Sequence, residues 1–161
     1  MTRERFIDLI RAEQVPLRRF LLGLCSGNAV LADEIAQDAL VRAYVASGTF
    51  RGLSRFGTWL FRIAYNCFID HLRRPRPETL PEESIEAQNV AASDAADSAF
   101  RYQQLYSALD KIPEKERAAI VLHYFEDCSV NEIAVILQIP AGTVKYHLFS
   151  GRNHLKELIT L

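Results

Sequence analysis

Three prolines fall within seven positions, at Pro75, Pro77 and Pro81, and they open a stretch (75–99) that holds six carboxylates, one arginine and few large apolar side chains. Proline ends helices and withholds a backbone donor, and small or acidic side chains bury too little apolar surface to offset chain entropy. Such a stretch builds no core of its own. The chain therefore divides into a first unit over 1–74, a flexible acidic linker over 75–99 and a second unit over 100–161. Charge follows the same division. The first unit carries eleven arginines against seven carboxylates, whereas the second carries seven basic and seven acidic residues, so the net charge of −1 conceals a basic first half and an acidic connector.

On both sides of the linker, apolar residues recur at three- and four-residue spacing, which predicts an all-α protein of two small helical domains. The first unit reads as helices near 3–24, 31–46 and 57–74, with a turn at Ser26-Gly27-Asn28 and a break at Ser47-Gly48. The second reads as helices near 100–110, 114–126, 130–138 and 141–159. No apolar run approaches the roughly 18 residues of a membrane helix, and the charged N-terminus lacks a signal-peptide core, so a cytoplasmic chain without membrane insertion is expected. Cys25, Cys67 and Cys128 are widely spaced with no CxxC pair, which marks them as reduced core residues. The four histidines are scattered, and no nucleophile–base pair or metal-ligand spacing occurs; no catalytic residue, metal or cofactor is expected.

Three segments carry surface chemistry. On the helix over 32–45, Ala32, Ile35, Ala36, Ala39 and Ala43 share an inward face, while Asp33, Glu34, Gln37, Asp38 and Arg42 share the other with Val41 and Val45 among them. Apolar residues set among charges fit either a partner-docking surface or a solvated face with stray valines. Glu34 and Asp38, one turn apart, have no histidine or other carboxylate cluster nearby to complete a catalytic or metal site.

Residues 50–74, FRGLSRFGTWLFRIAYNCFIDHLRR, combine five arginines with six aromatic residues. Arginine meets phosphate, and exposed rings stack on unpaired bases, so the pattern suits single-stranded or locally melted nucleic acid. Within the third helix Leu60, Ile63, Ala64, Cys67, Phe68 and Leu72 form the buried stripe, and Trp59, Arg62, Asn66, Asp70 and Arg73 the outer side. Packing of Phe56 and Trp59 against the first helix is the competing reading for those rings. The preceding loop, Arg51-Gly52-Leu53-Ser54-Arg55, is short and polar, with a glycine that admits close backbone approach.

The third segment opens with a capping box, Ser129 to Glu132, and runs through Ile139-Pro140-Ala141-Gly142 into a second helix, the pattern of a helix-turn-helix. Val144, Leu148, Gly151, Leu155, Leu158 and Ile159 face its core. Tyr146, Phe149, Ser150 and Asn153 point away, flanked by Lys145, Arg152 and Lys156, a surface able to meet phosphates and base edges in a major groove.

In this order, ADEIAQDALVRAY (32–44), FRGLSRFGTWLFRIAYNCFIDHLRR (50–74) and SVNEIAVILQIPAGTVKYHL (129–148) resemble the extracytoplasmic-function (group 4) sigma factors of bacterial RNA polymerase. The resemblance implies a sigma region 2 bundle over 1–74 and a region 4 helix-turn-helix over 100–161, in a protein that directs promoter-specific initiation and catalyses nothing. It assigns Asp33, Glu34, Gln37, Asp38, Val41 and Arg42 to docking on the β′ clamp helices of the polymerase core, with the β flap as a further core contact. It assigns Arg51, Gly52, Leu53, Ser54, Arg55, Phe56, Trp59, Arg62 and Asn66 to the −10 element, its melting and capture of a flipped base. His123, Thr143, Lys145, Tyr146, Phe149, Ser150 and Arg152 fall on the −35 reader. Tyr146 and His147 stand where the family has a small residue and an arginine, and His123 where it often has arginine. An anti-sigma factor is the further partner the resemblance implies. A promoter-blind decoy and a duplex-binding repressor are the alternatives; the repressor leaves the 32–44 surface without a role.

Overall fold

The computed structural model describes residues 1–75 and 95–159. Most of the predicted linker, with Glu82, Glu83 and Glu86, lies outside the described residues. Seven α-helices occur among those described: α1 (Arg3–Leu24), α2 (Ala29–Val45), α3 (Phe56–Arg73), α4 (Ala95–Lys111), α5 (Glu114–Ile120), α6 (Val130–Leu137) and α7 (Ala141–Leu158).

Local chemistry sets most boundaries. Thr2 caps α1 by accepting from the Arg5 amide, and Asn28 caps α2 by accepting from Leu31 at 3.0 Å. Between them Ser26 and Gly27 take positive φ, at 55° and 86°, which turns the chain sharply enough for α2 to fold back on α1. The Ser129 capping box closes in both directions at 3.1 Å. Gln138 ends α6 in the left-handed conformation, φ 57°, and Pro140 leads into α7.

Two elements depart from the periodicity. The helix expected over 114–126 is α-helical only to Ile120, and Val121–Phe125 continues as one π-helical turn. Such a turn inserts a residue and rotates the chain beyond it, a shift that a hydrophobic pattern does not record. Helix α4 begins at Ala95, five residues inside the predicted linker.

Helices α1, α2 and α3 bury Phe6, Ile10, Phe20, Ile35, Leu60 and Phe68 between them, and α5, α6 and α7 bury Leu122, Ile133, Ile136, Val144 and Leu148. These are not separate cores. One continuous buried cluster runs through both units, because α3 packs on α6 and α1 packs on α5 and the π turn. Gly23 sits on the π turn so closely that a Cβ there would lie 2.7 Å from a Val121 methyl. Arg117, half-buried, donates to the Leu24 carbonyl at 2.7 Å and to the Leu109 carbonyl at 2.8 Å, tying together the ends of α1 and α4. Burial lowers its pKa.

All three cysteines are buried and free, and burial pushes the Cys25 and Cys128 thiols up to about 12. Their thiolates are therefore scarce at pH 8. An alkylating agent at that pH is expected to modify the folded chain slowly and all three cysteines after unfolding, as counted by intact mass. Gly151 is the tighter of the two glycines in the second unit, where an added Cβ would meet Ile120 at 3.0 Å. Gly151→Ala is expected to cost about 1–3 kcal/mol in chemical denaturation.

Candidate nucleic-acid interface

The two faces of α2 separate as the periodicity requires. Ala32, Ile35, Ala39 and Ala43 are buried, Asp33, Glu34, Gln37, Val41 and Arg42 are exposed, and Asp38 is half-buried. Several charges of the outer face have partners on neighbouring helices. Arg18 pairs with Asp33 at 3.3 Å, and Arg42 donates to Asp70 at 2.7 Å, holding the Asp70 carboxyl below the usual range. His71 reaches Asp38 at 2.8 Å, so a histidine does stand beside this carboxylate, brought from 33 positions away. Val41, Tyr44 and Val45 stay uncovered, with Val45 80% exposed. Charged side chains paired with neighbouring helices thus surround an exposed apolar stripe.

Beside it lies the basic and aromatic segment. Arg51, Gly52, Leu53 and Arg55 are exposed, and Gly52 takes φ 73°, which lets the loop turn out from the body. Leu53 is 93% exposed, an isolated aliphatic side chain at the loop tip. Below it, Phe50, Phe56 and Trp59 form a triangle with centroids 5.3–5.5 Å apart. Phe56 is buried, and its ring also meets Phe6 edge-on, so it supports the loop from the core and offers no free face. Trp59 is half-buried, while Arg62 and Asn66 project from the next turns of α3. Leu72, placed by periodicity in the buried stripe, is 45% exposed, because α3 outruns the elements that cover its earlier turns.

On α7, Lys145, Tyr146, Phe149 and Arg152 are exposed, with Tyr146 63% and Phe149 60% accessible; Thr143 is half-buried. Ser150 turns the other way. Its hydroxyl donates to Glu116 at 2.6 Å, and His154 meets the second oxygen of the same carboxylate at 2.7 Å. Glu116 is 5% exposed and needs both partners, so Ser150 belongs to the polar interior of this unit. Leu158, expected inside, is 40% exposed at the helix end. His123 is half-buried on the π turn with Nδ1 3.0 Å from the Cys128 carbonyl, and Arg152 donates to the Tyr124 hydroxyl at 3.1 Å.

The family model for Sigma-70 region 2 matches residues 3–77, and that for Sigma-70, region 4 matches residues 102–155. The chain is 36% identical over 143 residues to the ECF RNA polymerase sigma factor SigW of Bacillus subtilis, covering 81% of this chain and 76% of that one. The chain belongs to the extracytoplasmic-function (ECF) sigma factors. The ECF RNA polymerase sigma-E factor of Escherichia coli K12 is 33% identical over 132 residues, covering 74% of this chain and 69% of that one. Among solved structures, the sigma factor RpoE in complex with the anti-sigma factor NepR from Bartonella quintana has the same fold, with a TM-score of 0.74 at 23% identity over 96% of each chain. CnrH in complex with the cytosolic domain of CnrY gives the same score and identity, over 98% of this chain and 88% of that one. As an ECF sigma factor, the protein is a non-enzymatic subunit that directs RNA polymerase in transcription initiation.

Sequence reasoning did not anticipate the residues that join the two units. Glu126, with a side chain 2% exposed, takes a two-pronged hydrogen bond from Arg19 at 2.7 Å. Burial raises its pKa, against the pull of Arg19. Arg55 pairs with Glu132, which also accepts from Thr58 at 3.3 Å. Burial pushes the Glu132 carboxyl up, but the Ser129 amide and Arg55 together outweigh it and leave the group below its ordinary value. With its carboxamide oxygen turned toward α3, Gln138 accepts from Arg62. Glu132 was legible as a capping residue, but nothing in the sequence aligns it with an arginine 77 positions earlier.

Ser150→Ala is expected to lower stability by about 1–3 kcal/mol in denaturant, as a buried carboxylate loses a partner. Phe149→Ala, at an exposed position, is expected to stay within about 0.5 kcal/mol of the parent chain.

Proposed function

We propose that the protein reads promoters in two parts while bound to the polymerase core, the first unit (1–74) taking the −10 element and the second (100–161) the −35 element. The observation that carries this reading is the loop over 51–55. An arginine-flanked turn holds one aliphatic side chain, Leu53, almost wholly in solvent, on a platform of packed rings. Such an exposed apolar tip has no folding role, and it suits wedging against an unstacked base while Arg51, Arg55 and Arg62 hold phosphates. Trp59 and Asn66, next on the helix, supply a stacking face and an amide for base edges.

The outer face of α2, with Glu34, Gln37 and Val41 at its centre, docks on the β′ clamp helices. Asp33, Asp38 and Arg42, each tied to a partner helix, keep that face rigid. The region 4 unit contacts the β flap and presents Lys145, Tyr146, Phe149 and Arg152 to the −35 major groove, with Thr143 at the helix start and His123 toward the backbone. Ser150 supports this helix from inside. Each DNA-reading surface is modestly charged, and tethering both on one polymerase supplies the missing affinity through effective concentration. The segment over 75–99 is the connector, the site of action is the cytoplasm, and an anti-sigma factor is the regulatory partner. One structural neighbour, the sigma factor RpoE, is bound to the anti-sigma factor NepR.

Run-off transcription with purified core polymerase on a genomic promoter library tests the reading. The wild-type chain is expected to give discrete start sites, and Trp59→Ala/Arg62→Ala is expected to abolish them while still binding core. Val41→Asp is expected to weaken core binding at least tenfold with no change in thermal midpoint. Start sites that survive the double substitution would remove the −10 assignment, and undiminished core binding by Val41→Asp would remove the α2 docking face.

A further inference from the structure

Tyr124 has no part in the reading above, yet it holds one of the residues assigned to the −35 element. Arg152 donates from Nη1 to the Tyr124 hydroxyl at 3.1 Å, across 28 positions of chain, and both residues are exposed. Among the described residues no carboxylate pairs with Arg152, so its charge is left for an anion from outside. The phenol oxygen accepts from the guanidinium and keeps its own hydrogen to give, and the guanidinium retains further N–H groups. Two converging donors beside a full positive charge fit an anion that offers two oxygens. In duplex DNA that anion is a backbone phosphate.

Helix geometry places this pair against the backbone and not the bases. Helix α7 starts at Ala141. At about 1.5 Å per residue, Lys145 and Tyr146 lie roughly 6–8 Å along its axis and Arg152 roughly 16 Å. A major groove is about 12 Å wide, and a recognition helix meets base edges with its first turns. With those turns among the bases, Arg152 has passed the groove and reaches its phosphate wall. Tyr124 is braced beside it. It sits on the π turn, where its ring meets that of His123 edge-on, with centroids 4.9 Å apart and planes at 86°. His123 is fixed in turn by Nδ1, 3.0 Å from the Cys128 carbonyl. A carbonyl only accepts, so Nδ1 carries the hydrogen, and the neutral ring has none on Nε2 to give a phosphate. The donor toward DNA therefore falls to the next residue, Tyr124.

We propose that Tyr124 and Arg152 form a phosphate clamp on duplex DNA, in which the Tyr124 hydroxyl both positions the guanidinium and donates to the same phosphate. Its place at the edge of the −35 element rests on the assignment of the second unit above; the clamp itself does not. A guanidinium held before DNA arrives loses less freedom on binding than a loose one, so the hydroxyl strengthens the contact twice, once by its own hydrogen bond and once through Arg152. In a unit with as many acidic as basic residues, one well-held phosphate contact carries a large share of the affinity.

A double-mutant cycle on the full-length chain tests it. Tyr124→Phe removes the hydroxyl and keeps the ring, and Arg152→Ala removes the guanidinium; both positions are exposed, so thermal midpoints are expected to match the wild type. The chains are titrated, without polymerase, into a labelled random-sequence duplex pool at several salt concentrations. Tyr124→Phe is expected to weaken binding at least threefold. Arg152→Ala is expected to weaken it about tenfold and to lower the salt slope by about one. The double variant is expected to bind within about twofold of Arg152→Ala, because the hydroxyl acts through the residue already removed. Ethylation interference with the holoenzyme, on a promoter returned by the run-off assay, is expected to reveal one phosphate at the edge of the −35 element whose modification blocks the wild type and is indifferent in both variants. Wild-type affinity in Tyr124→Phe overturns the clamp, and so do losses that multiply in the double variant. Weakened pool binding with no such phosphate removes the −35 placement and leaves the clamp. A wild-type chain that gives no start sites overturns the promoter reading instead, and the pool affinities still decide the clamp.

Discussion

The last turn of α1 is the constraint on which the rest of the molecule depends. It belongs by sequence to the first unit, yet α1 packs on α5 and the π turn of the second, with Gly23 against Val121. Gly23 permits this, since any side chain there would collide with Val121. Arg117 then uses the carbonyls left over at the end of α1, together with those ending α4, as acceptors for a half-buried guanidinium. Drawing that cation out of water is tolerable because carbonyl oxygens at the two helix ends accept its hydrogen bonds.

Because that junction is apolar in the middle and ionic at the edges, the two units meet without merging their surfaces of use. The α2 stripe of Val41, Tyr44 and Val45 remains outside, as do Tyr146 and Phe149 on α7. What the junction does consume is the loop before α3, where Arg55 faces Glu132. The outer face of α2 is thus open while Arg55, in the loop before α3, is engaged across the junction.

Much of this was legible in the linear pattern because it depends on local rules. Apolar residues at helical spacing placed seven helices, and the Ser129–Glu132 capping box marked the start of α6. The pattern failed where a neighbour decides the outcome. Phe56 reads as one aromatic among several until Phe6 and Phe50 cover it, and Ser150 reads as outward until Glu116 and His154 claim it. Leu72 and Leu158 sit on the correct stripe of their helices and are nonetheless exposed among the described residues, each in the last turn of its helix.

The sequence alone determined the all-helical class, membership in the ECF sigma factors and the exposed outer face of α2. All of these rest on periodicity, caps and motif spacing, which act over a few residues. Only the tertiary structure decided that the two units close on one another, and through which side chains. Arg19 and Glu126 are 107 positions apart, and Arg55 and Glu132 are 77 apart. A surface arginine and a surface glutamate look the same in a sequence whether they face water or each other, and only the folded chain chooses between those two.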